Sequence, residues 1–218
     1  MKIIDMDSWP RRQQFELYRD LDMPYVGICA DVEITALLAY CQQHQLSSYR
    51  AIIYAVLLLS DELPWLRQRI RGEQVIEHEQ LVIGATALSD DQQLRFSRIP
   101  HQSNWPEFNA EAKRIGAMLA HSRQLFNDDT GSDSDGAIFV SCLPWLRFTQ
   151  FTHPVPVQPS CSIPRLGWGK YDKQAERTVM PLSLQVHHGL ADGIHIAQFY
   201  QKLEQRFATP EQWLTPVR

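Results

Sequence analysis

The chain has 218 residues, 44% of them hydrophobic, and a formal net charge of -4. That length and apolar share suit one sizeable globular domain over 1–218, and the slight acidic excess argues against nucleic acid as a partner. The longest apolar run, Ala51 to Leu59, is too short to cross a bilayer, Met1 to Arg12 lacks a signal-peptide pattern, and Cys29, Cys41, Cys142 and Cys161 show no C-x-x-C spacing, which together predict a cytoplasmic protein with reduced thiols and no membrane association.

Asp7 or Ser8 is placed to cap a first helix, with Pro10 in its opening turn and Phe15 and Tyr18 facing inward. Arg11 and Arg12 near its start oppose the helix dipole, a local conflict that points to an anionic partner elsewhere. Tyr25 to Val32 reads as a strand, Thr35 to His44 as a helix, and Tyr49 to Leu63 as a more buried helix. Gln74 to Leu88 and Gln93 to Ile99 are strand-like around a Ser89-Asp90-Asp91 turn. Trp105 to His121 is amphipathic at helical spacing. Asn127 to Gly136 is a polar loop whose alternating acids lack the terminal bidentate acid of a calcium loop. Ala137 to Cys142 is a strand ending at Leu143-Pro144-Trp145, and Ile163 to Tyr171 and Thr178 to His188 read as a hairpin. The order is mixed α+β, with long strands concentrated in the C-terminal half.

The segment His187-His188-Gly189-Leu190-Ala191-Asp192-Gly193 joins that last strand to a helix from Ile194 to Phe207. Alternation puts Leu182, Leu184, Val186 and His188 on one face, so His188 continues an apolar row. Partial burial disfavours the imidazolium, and a neutral imidazole accepts a proton as a general base must. Asp192 occupies a helix N-cap position, where its carboxylate can serve first-turn amides and order the turn. Ile196, Tyr200, Leu203 and Phe207 form one apolar stripe. A metal site of His187, His188, Asp192 and His195 is disfavoured because adjacent strand residues point oppositely, so no metal is expected.

Met180 to Leu203, Ser8 to Arg19 (SWPRRQQFELYR) and Val140 to Phe148 (VSCLPWLRF) together resemble the trimeric, HHxxxDG-bearing chloramphenicol acetyltransferase family, in order and over nearly the whole chain. The resemblance implies a two-layer α+β sandwich, a mixed sheet with helices packed on one side. It implies His188 as general base, Asp192 paired with Arg11 to hold the turn, and Ser141 as donor to the tetrahedral intermediate. It places Tyr18 around the catalytic histidine and Lys170 and Tyr171 near the coenzyme. Arg50 is a further candidate for the coenzyme phosphates. The implied reaction is direct acetyl transfer from acetyl-CoA to a chloramphenicol hydroxyl in a ternary complex, in a homotrimer with sites between subunits.

The acceptor pocket departs from the family pattern more than the catalytic turn does. Leu17 stands where a phenylalanine is usual, Ala85-Thr86-Ala87 replaces a bulkier run, and Gly167 falls where a threonine assists the intermediate; Phe96 matches an aromatic pocket position. Smaller side chains predict a roomier site, with Leu17, Tyr18, Phe96 and Ala87 as acceptor contacts. They open two alternatives: the same chemistry on another small acceptor, or a non-catalytic ligand-binding trimer. Dihydrolipoyl acyltransferase cores and peptide-synthetase condensation domains share the motif. The first are expected to carry a lipoyl domain and flexible linker, and the second to be about twice as long.

Overall fold

Strand alternation and the helical repeat bury one shared apolar surface, and two layers follow from it. A computed structural model describes residues 1–127, 135–156 and 159–215. In chain order it contains β1 (Lys2–Ile3), α1 (Arg12–Tyr18), β2 (Tyr25–Glu33), α2 (Thr35–Gln43), α3 (Ser48–Glu62), β3 (Gln68–Arg71), β4 (Gln74–Glu77), β5 (Val82–Leu88) and β6 (Leu94–Ile99). There follow α4 (Trp105–His121), β7 (Phe126–Asn127), β8 (Ala137–Leu143), β9 (Arg165–Gly169), β10 (Asp172–Gln174), β11 (Arg177–His187) and α5 (Gly193–Ala208).

The main sheet runs β10-β11-β9-β8-β5-β6-β7, with β2 also paired to β11. β2 lies antiparallel to β11 from Glu33 opposite Val179 to Tyr25 opposite His187. β8 is parallel to both β9 and β5, so the sheet is mixed as expected. The Ile163–Tyr171 and Thr178–His188 pair is antiparallel, but β10 intervenes and pairs the start of β11. Gln74 to Leu88 is not one strand. Its first part joins a small β1-β4-β3 sheet and its second enters the main sheet. Arg69 sits where these sheets meet. It is fully buried and donates to the carbonyls of Leu66, Gln68, Asp135 and Ala137. Burial pushes its pKa down to about 10, and four acceptors explain how a cation is tolerated there.

Helices α2 to α5 cover one face of the main sheet and share its core. Ser47 caps α3 by accepting from the Arg50 amide, and Asn104 caps α4 through the Glu107 amide. On α5 the buried stripe is Ile196, Phe199, Leu203 and Phe207. Tyr200 lies beside it, with its hydroxyl bridging the carbonyls of Leu182 and Ile28 at 2.7 and 2.9 Å. The helix thus stays seated on β2 and β11.

Strand register assigns the opposite face. Paired residues share a side, so Cys29, Ser183, Gly167 and Ser141 form one row there and Gly27, Gln185, Arg165, Phe139 and Gly84 the next. The segment after β8 crosses this face. Ser183 Oγ donates to the Phe151 carbonyl at 3.0 Å, and Gln185 Oε1 accepts from the His153 amide at 3.2 Å.

Candidate active site

α1 begins later than Asp7 or Ser8 would place it. Arg11 is its N-cap and makes no side-chain cap, while Asp5 takes the Ser8 hydroxyl and Asp7 pairs with Arg12. The helix start is instead fixed across the molecule. Arg11 Nη1 and Nη2 donate to Asp192 at 2.5 and 3.0 Å, and Nη2 also donates to the His188 carbonyl at 3.0 Å. This resolves the cation at the positive end of a helix, because its partner lies 181 residues away in sequence.

Asp192 is the N-cap of α5, as expected, but its carboxylate faces Arg11, which holds its pKa below the usual carboxylate range. His195 Nδ1 accepts from the Asp192 amide at 3.1 Å and so supports the turn from the helix side. His188 lies just past β11, half-buried, with its ring stacked on Tyr18 at 4.1 Å and 8° between planes. Its Nδ1 is 3.3 Å from Asp192 Oδ1 without hydrogen-bond alignment. The two side chains are therefore adjacent. A carboxylate there favours the tautomer with its proton on Nδ1, leaving a lone pair on Nε2.

His187 faces the other way. It is buried, accepts from the Gly189 amide on Nδ1 at 3.1 Å, and packs edge-on to Tyr25. Burial and the neighbouring His188 push its pKa down to about 4. A Cβ on Gly189 would stand 3.1 Å from that nitrogen and 3.4 Å from the Phe15 backbone, so a side chain there would press on the His187 ring.

Ser141 lies where the sheet opens. Pairing of β5 with β8 ends at Ala85 opposite Val140. Beyond it Thr86 Oγ1 is 3.5 Å from both the Val140 carbonyl and Ser141 Oγ. Cavities of about 480 and 440 Å³ flank this opening, and Ser141, Ala85, Thr86 and Phe151 line both. The first is closed by α4 through Ile115 and Leu119 and by Tyr49 and Trp145, and it includes Ala87. The second includes Phe96, His153 and Arg165.

Thus Arg11, Asp192, His188 and Tyr18 come together in one cluster, while Ser141, Ala87 and Phe96 come together in another. No residue of the first cluster lines either Ser141 cavity. Leu17 is 64% exposed and touches neither. Lys170, Tyr171 and Arg50 also lie outside both linings. Lys170 is exposed, the Tyr171 hydroxyl is 3.3 Å from Ser48 Oγ, and Arg50 Nε donates to Asn109 Oδ1 at 2.7 Å. The expected extra room at Gly167 is absent: a Cβ there would be 2.1 Å from Phe151 Cδ1 and 3.4 Å from His153 Nε2. Phe151, His153 and Arg165 were not singled out from sequence. The parity of β9 against Gly167 places Arg165 on this face, but Phe151 and His153 lie in an irregular segment.

A helix-backed mixed sheet, a histidine turn clamped by an arginine–aspartate pair and, apart from that turn, an opening lined by Ser141 define the chain as an acyltransferase. The model of the chloramphenicol acetyltransferase family matches residues 1–204, and the chain belongs to that family. It is 28% identical over 213 residues to a chloramphenicol acetyltransferase of Streptomyces acrimycini, covering 97% of this chain and 96% of the relative. It is 25% identical over 203 residues to chloramphenicol acetyltransferase 3 of Escherichia coli, covering 92% and 94%. A solved chloramphenicol acetyltransferase superposes with a TM-score of 0.84 at 27% identity, covering 95% of this chain and all of the other. The Azotobacter vinelandii dihydrolipoamide acetyltransferase shares the fold, with a TM-score of 0.72 at 22% identity over 93% and 88% of the two chains.

Proposed function

We propose that this chain, as one domain over 1–218, is a CoA-dependent O-acetyltransferase carrying acetyl from acetyl-CoA to a hydroxyl of chloramphenicol or a related small acceptor. The observation that carries the reading is the His188 turn, where the imidazole is stacked on Tyr18 and set beside an Asp192 locked by Arg11.

His188 Nε2 takes the acceptor hydroxyl proton as the oxygen attacks the thioester carbonyl. A tetrahedral oxyanion forms, and Ser141 donates a hydrogen bond to it. The intermediate collapses by breaking the carbon–sulfur bond, and the proton held by His188 passes to the departing thiolate to give CoA thiol. No acyl-enzyme is formed. Loss of one oxyanion donor typically costs about 2.7–4 kcal/mol of barrier, and holding acceptor and thioester together supplies much of the remaining acceleration.

His188 and Ser141 act together when His188 of one copy meets the Ser141 cavity of the next, in a homotrimer. Support comes from their separation within one chain and from the exposed Leu17, Leu21 and Met23 at and just beyond the end of α1. Acetyl-CoA occupies the cavity beside Tyr49 and Trp145, with Lys170, Tyr171 and Arg50 toward its polar end, and the acceptor occupies the other. No metal enters the scheme. A cytoplasmic setting suits the free thiols of Cys29, Cys41, Cys142 and Cys161. Among the described residues no helix is long and apolar enough to cross a membrane.

The test is thiol release from acetyl-CoA with a panel of hydroxylated acceptors including chloramphenicol. Acceptor-dependent release and a recovered O-acetyl product are expected. No release with any acceptor, alongside tight acceptor binding, would instead favour the non-catalytic trimer.

A further inference from the structure

The second cavity has a cationic end that the transfer chemistry does not use. Arg165 and His153 line it, and they are 7% and 8% exposed. The lining contains no aspartate or glutamate. Arg165 donates to the Ile163 carbonyl at 3.3 Å, approaches Cys161 Sγ at 3.5 and 3.6 Å, and lies 5.3 Å from the Phe139 ring centroid. Among the described residues it forms no ion pair. A buried cation without a counter-charge is costly, so an anion entering the cavity gains more here than in water. Beside it, His153 Nε2 is buried without a hydrogen-bond partner. Its ring packs 4.3 Å from Phe151. Burial and the nearby Arg165 push its pKa down to about 4, so near neutral pH it is an uncharged group with one N–H to donate.

The register fixes how this end relates to Ser141. Arg165 pairs with Phe139, two residues before Ser141 on β8. Two residues along a strand rise roughly 6.6 Å, about the span of a para-substituted aromatic ring. Phe96, Phe126, Phe139 and Phe151 line the same cavity. We propose that the preferred acceptor is an aromatic hydroxy acid, with its carboxylate on Arg165 and His153 and its hydroxyl toward Ser141. The assignment rests on the acetyl-transfer reading above and narrows its small hydroxylated acceptors to aromatic anions.

Calorimetry on the whole protein with benzoate and benzamide tests the site. A hydrogen-bonded charge is worth about 1.5–3 kcal/mol, so benzoate should bind the wild type roughly tenfold to a hundredfold more tightly. Arg165→Met should erase that preference and Arg165→Lys should keep part of it, and His153→Leu should weaken benzoate alone if Arg165→Met does not fold. Equal binding of the two probes, no binding of benzoate, or a preference unchanged in Arg165→Met would overturn the site. Thiol release with 4-(hydroxymethyl)benzoate should exceed that with its methyl ester. Release with the ester and chloramphenicol but no benzoate preference removes the anion site and leaves acetyl transfer standing. A benzoate preference with no release from any acceptor removes the acetyl-transfer reading, and the acceptor assignment with it.

Discussion

Replacing Arg11 by Met removes two charge-assisted bonds to Asp192 and one to the His188 carbonyl, at 2.5–3.0 Å. It also leaves the Asp192 carboxylate without its counter-ion. The arginine side chain is 12% exposed and the aspartate 34%, so the pair lies between the limits of about 3–5 kcal/mol for breaking a buried pair and about 0.2–1 for an exposed one. Solvent screening at the aspartate puts the expected loss near 2 kcal/mol. Asp192→Asn should cost a similar amount. Because the pair is mutual, the double variant should cost little more than either single one, giving a coupling of about 2 kcal/mol. Thiol release should fall further than stability, by about a hundredfold, since an ångström of displacement at His188 has that effect on an aligned site. Urea unfolding of the four proteins at pH 7 measures the coupling. Additive losses would refute the clamp.

Three more expectations follow from the geometry. His153 and His187 fall from 6.5 to about 4 in the folded protein, so the unfolded chain binds more protons between those limits. Folding stability should be complete above pH 6.5 and decline as pH falls toward 4, by roughly 3 kcal/mol per histidine at most; His153→Leu should flatten that decline in thermal melts, and an unchanged slope would contradict the assignment. Gly167→Ala should cost about 1–3 kcal/mol by overpacking, since Phe151 occupies the Cβ position, and Phe151→Ala should restore most of it in denaturant titrations. Refolding His188→Ala together with Ser141→Ala should recover about a quarter of wild-type activity, because random assembly in a closed ring joins the two intact halves at one interface in four; no recovery would place both groups of a site in the same chain.

The sheet and its helices were legible because their periodicities are long and unambiguous: β11 with β2, the buried α3, and α5 after the Asp192 cap. The His188–Asp192 turn was legible through its motif, and its Arg11 partner across the sequence through the family resemblance. Errors came where tertiary contacts override local signals. Gln74 to Leu88 reads as one strand, yet it divides after Glu77: β4 pairs with β1 and β3 in the small sheet, and β5 pairs with β6 and β8 in the main one. Asp7 and Ser8 have cap chemistry, but the ion pair with Asp192 decides where α1 starts. Phe151 and His153 carry no periodicity at all. Only the long-range bonds from Ser183 and to Gln185 place them over Gly167, which is why a glycine that suggests room marks a filled position.

Acetyl transfer as proposed depends on His188 as its base. The most direct measurement is CoA thiol release from acetyl-CoA, with and without an acceptor that the wild type turns over, starting with chloramphenicol, in wild type and His188→Ala. Acceptor-dependent release is expected in the wild type, and its loss in a His188→Ala protein with unchanged assembly and far-ultraviolet circular dichroism. Wild-type release rates in a normally folded His188→Ala protein would contradict it.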